Sequence, residues 1–187
     1  HFADVVVFQS AWSKEQSITL GFRQNNNHII VHNAVDPQIF FPPAHKEMHT
    51  PIRILLSSWS TNTKKGFAWY SFLDTHLDFK KYRVTFIGNS PVRFQNIRIQ
   101  EPLPSAELAE ALRSHDLFVS AVQDDACSNT IVEAQACGLP VIALASGGNP
   151  ELLQKDDVLF HTNEELLAAI ERVAAQGQRT QPSANTL

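Results

Sequence analysis

Between Asp116 and Glu151 the chain reads DLFVSAVQDDACSNTIVEAQACGLPVIALASGGNPE, and the order of features there restricts the fold more than any other stretch. Leu117-Phe118-Val119 is a short apolar run, the mark of a strand buried on both faces. Asp124-Asp125 follows as an acidic loop at its carboxyl end. Ser128-Asn129-Thr130 then offers hydroxyl and amide groups at a helix start, where free backbone N–H groups and the helix dipole favour a phosphate. Glu133 falls one turn into that helix, Pro140-Val141-Ile142-Ala143-Leu144 is the next buried strand, and Gly147-Gly148 opens a second tight turn. Two such turns at the ends of adjacent parallel strands make a ligand crevice, here one suited to a nucleotide.

The rest of the chain alternates in the same way. Val5-Val6-Val7-Phe8 reads as a strand, Ser13–Leu20 as a helix with Ser13 as N-cap and Gly21 as its stop, Asn25-Asn26-Asn27 as a turn and Ile29-Ile30-Val31 as a strand. Pro37, Pro42, Pro43 and Pro51 then favour extended chain over helix and place a boundary near 36–51. From Ile52 the pattern predicts strands at 52–56, 83–87, 97–99, 117–120, 141–144 and 158–160. Helices are expected at 67–77, from Ser105 as N-cap to about Ser114, at 129–137, near Glu151 and at 164–174. The tail from Gln176 lacks periodicity and reads as loose. The class is therefore α/β, a Rossmann-like parallel sheet with helices on both faces.

Composition excludes several classes. At 187 residues and 43% hydrophobic, the chain can bury a sizeable core. A net charge of −4 with 18% charged residues points to neither nucleic-acid binding nor a basic membrane-surface patch. Two cysteines, Cys127 and Cys137, are too few for a disulfide scaffold and suit a reduced, cytoplasmic chain. No run approaches the roughly 18 apolar residues of a membrane span, and no signal peptide is legible. A first residue of His1 rather than methionine suggests an excised or processed segment. No Gly-x-Ser-x-Gly elbow supports a hydrolase, no Walker loop an NTPase, and no His/Cys/Asp cluster has metal-ligand spacing. His115 and His161 read as ordinary surface or satisfied histidines, and Phe67, Trp69 and Trp59 as core or rim packing.

The ordered motifs resemble a known family. Asp125 and Glu133, two acids separated by seven residues, precede Glu-Ala-Gln-Ala-Cys-Gly-Leu-Pro-Val and Gly-Gly-Asn-Pro-Glu. The set is similar to the donor-sugar site of retaining glycosyltransferases of the GT-B fold, family four (glycosyl transferases group 1), in their carboxy-terminal domain. His32-Asn33-Ala34-Val35-Asp36 resembles the segment joining the two GT-B domains, Lys65-Gly66 the phosphate-side turn, and Phe86-Ile87-Gly88 the end of the next strand. The resemblance covers about positions 3–170, one half of a typical member. It implies a remnant of the N-terminal domain and an interdomain strand at 1–36, a linker at 37–51, a nucleotide-sugar-binding domain at 52–175 and a loose tail at 176–187.

What the resemblance implies for chemistry can be set residue by residue. Asp125 would touch the transferred sugar, with Asp124 as a competing candidate, since an aspartate stands where the family usually has glutamate. Glu133 would hold the ribose diol, because a carboxylate can accept from two neighbouring hydroxyls; the bland alternative is an exposed helix glutamate. Lys65 would supply a point charge to the diphosphate and Gly66 the close turn. The arginine that often precedes this lysine is replaced by Ser60, so either Asn62, Lys64 or the hydroxyl-rich loop compensates or donor binding is weak. Ser128, Asn129 and Thr130 would bind phosphate, with Gly147 and Gly148 beside them. The base is expected against Ile99-Gln100-Glu101-Pro102-Leu103, and Gln100 enters the binding set with it; uracil, guanine and adenine stay open.

The function implied is sugar transfer from a nucleoside diphosphate sugar to an acceptor hydroxyl, without metal or other cofactor. The acceptor site would lie in a missing N-terminal domain, as would any peripheral membrane contact, leaving the isolated chain an inactive half. The strand at 4–8, cut from its parent sheet, is expected to be poorly ordered or packed in a non-parental way. The rivals are a nucleotide-sugar epimerase or phosphorylase of the same fold, the latter without a marked pyridoxal phosphate lysine, and a non-catalytic nucleotide-binding or partner-binding module.

Overall fold

The computed structural model describes residues 4–23 and 27–179, so the expected turn at Asn25-Asn26 and the tail from Thr180 lie outside the described residues. Apolar strands dominate it, and all but the edge strand β5 carry hydrophobic side chains on both faces. β3 (Ile52–Ser58), β4 (Tyr82–Gly88), β5 (Arg98–Gln100), β6 (Leu117–Ser120), β7 (Val141–Leu144) and β8 (Val158–Phe160) form one sheet, every pairing parallel, in the order β5-β4-β3-β6-β7-β8. Successive strand residues point to opposite faces. Ile54, Leu56, Leu117, Val119, Ile142 and Leu144 therefore join one core, while Leu55, Phe118, Val141 and Ala143 join the other. Helices α2 (Phe67–His76) and α6 (Asn163–Arg179) cover the first face through residues such as Tyr70, Leu73, Leu166 and Ile170. Helices α3 (Ser105–Arg113) and α4 (Asn129–Ala136) cover the second through Leu108, Leu112, Ile131 and Ala134.

The strand order reverses once. The chain runs outward from β3 through β4 to β5, then returns to lay β6 against the free edge of β3 and continues the other way to β7 and β8. Loops leaving β3 and β6 consequently diverge at their carboxyl ends and leave a crevice between them.

A smaller parallel pair precedes this sheet. β1 (Val6–Phe8) and β2 (His28–Ile30) are linked through α1 (Ala11–Thr19) and pair with Val6 opposite His28. The strand near residue 4 is thus not left without a neighbour; it pairs with the next strand of its own segment. Its sheet is thin and largely bare, with Val7 58% and Ile29 51% exposed. Helix α1 begins two residues before the expected Ser13: Ser10, not Ser13, is the N-cap, and the two serines form a reciprocal capping box. Glu151 reaches the same end from α5 (Asn149–Leu152), accepting from the N–H groups of Ala11 at 2.7 Å and Trp12 at 2.8 Å. The first turn of a helix is where an anion is favoured, so Glu151 fastens the first segment to the main sheet.

Other differences are equally local. Ser105 is the first residue of α3 rather than its cap, a place taken by Pro104. Gln176 lies inside α6, which runs on to Arg179. No helix among the described residues is long and apolar enough to cross a membrane.

One buried carboxylate shapes the sheet's far edge. Asp74, at the end of α2, accepts from the backbone N–H groups of Gln95 at 2.7 Å, Asn96 at 2.8 Å and Ile97 at 2.8 Å, folding the β4–β5 loop onto the helix. Asp74→Ala strands three backbone donors, of which the Ile97 N–H is buried and the other two are partly so. A loss of about 2 kcal/mol is expected in urea denaturation, because a buried group left unsatisfied costs about 1–3 kcal/mol and solvent can serve the other two.

Candidate nucleotide-sugar site

The crevice at the strand reversal is a cavity of about 240 Å³. Its walls are the β3–α2 loop on one side and the β6–α4 loop on the other. Of the residues expected from sequence, Ser60, Lys65, Asp125, Ser128, Asn129 and Thr130 line it together. Trp59, Ser120, Val122 and Cys127 also line it, although sequence reasoning did not put them there. Their signal was positional: each lies within a few residues of a parallel strand's carboxyl end, or inside the loop already singled out.

Local geometry explains why the walls come so close. Gly66 has φ +88, and a Cβ on it would stand 2.6 Å from the Ala121 carbonyl oxygen, so a side chain at 66 would push the two loops apart. Asn62 caps the short 3-10 turn Thr63–Lys65 by accepting from Lys64 N at 2.9 Å, a structural use of its side chain. Ser58 and Ser60 exchange two hydrogen bonds, at 2.8 and 3.2 Å, that curl the loop carrying Trp59. Gly147, at φ +61, and Gly148 lie outside the cavity. They let the turn after β7 press on the acidic loop, where Gly148 N donates to Asp125 O at 2.8 Å.

The charged residues of the two walls face each other as a ladder. Lys64 Nζ lies 3.0 Å from Asp124 Oδ2, and Lys65 Nζ lies 3.1 Å from Asp125 Oδ2. The outer pair is largely exposed, and such pairs contribute little to stability. The inner pair is more sheltered, with side-chain exposures of 33% and 26%. Asp124 adopts φ +51, a left-handed conformation that aspartate tolerates better than most residues. The acids expected to meet a sugar and the lysines expected to meet a diphosphate are therefore already in contact.

Helix α4 enters the cavity by its N-terminal end. Its N-cap Ser128 is buried, and the hydroxyl pairs with Thr130 Oγ1 at 3.1 Å instead of capping the helix. The first turn is left without a side-chain cap beside Lys65, and both favour an anion. The Asn129 side chain has another partner: its Oδ1 accepts from Asn33 Nδ2 at 2.6 Å, tying the segment after β2 to the helix start. Asn33 also donates from Nδ2 to Cys127 O at 3.0 Å and from N to Cys127 Sγ at 3.2 Å, and its Oδ1 accepts from Gln9 Nε2 at 2.6 Å.

Glu133 follows Asn129 and Thr130 by one helical turn and shares their face of α4. It is half-buried, its carboxyl makes no hydrogen bond or ion pair among the described residues, and that carboxyl is pushed up to about 7 by burial alone. No neighbouring cation offsets that desolvation. Gln100 lines neither this cavity nor its neighbour; alternation along β5 instead puts Ile99 and Glu101 on the neighbouring one, with Trp59 and Ser60 shared between the two clefts. His115 is buried and satisfied by Ala111 O at 2.7 Å, and His161 is exposed. Phe67 and Trp69 pack in the core, whereas Trp59 is 57% exposed at the rim.

The model of the family described as glycosyl transferases group 1 matches residues 71–176, more than half of the chain. The chain belongs to this family of glycosyltransferases. A GDP-mannose-dependent alpha-mannosyltransferase of Mycobacterium tuberculosis is 31% identical over 137 residues, covering 64% of this chain and 34% of that protein. The chain thus spans about a third of that relative's length. Among solved structures, Anabaena Alr3699/HepE in complex with UDP superposes with a TM-score of 0.74 at 16% identity, over 95% of this chain and 58% of that one. The C-terminal domain of a glycosyl transferase group 1 family protein from Francisella tularensis aligns over 78% of this chain and 95% of its own, with a TM-score of 0.56 at 17% identity. At such identities these structures share the fold of this glycosyltransferase domain.

Glu133 gives a prediction with a definite sign. A carboxyl whose folded-state pKa is raised from 4.5 to about 7 favours the folded state below about pH 4.5, and that contribution is lost as pH rises through 7. Glu133→Gln removes the dependence. Thermal or urea unfolding should show the variant more stable than the parent at pH 8, by about 1–2 kcal/mol once solvent screening is allowed for, with the gap closing toward pH 5.

Proposed function

We propose that this domain binds the nucleoside diphosphate sugar of a retaining glycosyltransferase, and that the complete protein transfers the sugar to an acceptor hydroxyl. The observation carrying this reading is the meeting of Lys65, the uncapped start of α4 and Asp125 in one cavity at the strand reversal. Lys65 and the α4 N–H groups stabilise the departing diphosphate, since preorganised donors count most where charge develops. Asp125 orients hydroxyls of the sugar, and Glu133 receives the ribose diol. Lys65 and the start of α4 supply the positive field without a metal or other cofactor, and the domain works in the cytoplasm.

Residues 1–36 belong, in this reading, to a preceding domain that carries the acceptor site, with 37–51 as linker and 52–175 as the donor domain. The bare apolar sheet of β1 and β2 and the short span of the relative's length both support that division. The relative is named for GDP-mannose and the structural neighbour for UDP, so similarity alone leaves the base undecided. A second reading, a nucleotide-binding module without turnover, is favoured by Ser60 in place of an arginine and by the pairing of both lysines.

Three measurements test the proposal. Titration calorimetry should show UDP or GDP binding more tightly than the matching nucleoside, and equal affinities would remove the phosphate assignment. Glu133→Gln, although more stable, should bind that diphosphate about 1.5–3 kcal/mol more weakly, the scale of hydrogen bonds to charged groups. Sugar transfer by the isolated chain should be negligible beside a full-length parent, since acceptor positioning can account for roughly 7–11 kcal/mol of barrier lowering. Comparable rates would mean that these residues already hold a complete active site, and absent transfer by the parent would favour the module.

A further inference from the structure

A second cleft opens over the ends of β3, β4 and β5, with a volume of about 520 Å³, and it shares Trp59 and Ser60 with the first. A ligand whose charged end lies at Lys65 would cross Trp59 and Ser60 to reach it.

Its floor is held in place. The indole of Trp59 is exposed, yet its loop is tied to the strands on both sides: Asn89 Nδ2 donates to Trp59 O at 2.8 Å and Asn89 N donates to Ser58 O at 2.9 Å. Gly88, at φ +130, allows this approach, since a Cβ there would stand 1.9 Å from Ser58 O. A large aromatic face, anchored and bare beside a phosphate site, is a surface on which a planar ring can stack.

Its wall has one sign of charge. Glu101 is the only charged side chain lining the cleft, and it is exposed. Two of its polar side chains already donate within the fold: the Asn89 amide to Trp59 O, and the Ser90 hydroxyl to Val92 O at 2.7 Å, while the hydroxyls of Ser60 and Thr61 also line the cleft. The carboxylate of Glu101 and the amide oxygen of Asn89 remain as acceptors.

We propose that this cleft selects guanine, so that the donor is a guanosine diphosphate sugar and Glu101 is its specificity-determining side chain. The inference rests on the donor-binding function proposed above. Guanine presents two adjacent donors, N1–H and the N2 amino group, to which one carboxylate can pair with both oxygens. Uracil presents a single N3–H between two carbonyl oxygens, which a carboxylate repels. Adenine sets its amino group beside an acceptor nitrogen, leaving one carboxylate oxygen against a lone pair. A site built to bond a group rejects the analogue lacking it, because its own polar atoms then lose water without gaining a partner.

Titration calorimetry of the 187-residue chain with GDP, UDP and ADP reads this directly. GDP is expected to bind about tenfold or more tightly than either of the others, the scale of one bidentate base contact. Glu101→Gln should lower GDP affinity about tenfold and leave UDP affinity unchanged or raised. Retained UDP binding reports that the variant is folded, which the exposed position of Glu101 favours. UDP or ADP binding as tightly as GDP would overturn the guanine assignment while leaving the diphosphate site standing. A GDP preference that survives Glu101→Gln would remove Glu101 as its source. Failure of all three nucleotides to bind would overturn the donor-binding function and this inference with it.

Discussion

Asp116 fastens the two halves of the sheet where the strand order reverses. The residue is fully buried; its Oδ2 accepts from Arg53 N at 2.6 Å, its Oδ1 from His49 N at 3.2 Å, and the His49 ring lies 2.8 Å away. Arg53 stands at the start of β3 and Asp116 immediately precedes β6, so one side chain sets these strands against each other and fixes the end of the linker. The crevice opens at the opposite ends of the same two strands. Its width follows from the register set below, and Gly66 then allows the loops to close to contact above. A buried carboxylate is tolerable only when its acceptors are filled, which makes this junction stiff.

Much of this frame is legible in the sequence because burial on both faces leaves an unambiguous mark. The strands at 117–120, 141–144 and 158–160 fall at the residues their apolar runs predict. Helix starts are less legible, because the cap depends on which of several serines meets a free N–H: Ser10 and Ser13 bond each other, and only the folded chain shows which one stands outside the helix. Ser105 has the right chemistry for a cap, but α3 takes Pro104 instead. The extension of α6 past Gln176 is of the same kind, since Val173 and Ala174 pack in the core and a further turn continues from them.

The candidate site divides similarly. Residues adjacent to strand ends, such as Lys65, Asp125 and Ser128, could be placed because a parallel sheet dictates where its loops gather. The contacts between them could not, since Lys64 and Asp124 stand 60 residues apart and no local pattern announces their pairing. Nor could the use of Asn129 to hold Asn33, or of Glu151 to cap α1, because both depend on how the first segment sits against the sheet. Gln100 was displaced by its neighbours for a simpler reason: a one-residue step along a strand exchanges one face of the sheet for the other.

Two kinds of carboxylate stand at or near this crevice, and of them Asp125 lines the cavity itself. Asp124 and Asp125 are held by lysines, whereas Glu133 is withdrawn from water with no partner and a carboxyl pushed up to about 7. A folding constraint explains the first pair, because the contacts join two loops. It does not explain the second, since an unpaired, desolvated acid opposes folding at neutral pH. A glutamine of nearly the same shape would avoid that penalty, so the carboxylate is a feature that stability alone does not favour. Sites of function are where such departures gather. The ion-pair ladder also bears on the proposed ligand: a diphosphate carries more charge than the single carboxylate facing each lysine, and it can bond the free N–H groups of α4 at the same time. Lys65 can then shift its partner from Asp125 to phosphate within the same cavity, leaving the Asp125 oxygens to accept from the hydroxyls of a sugar.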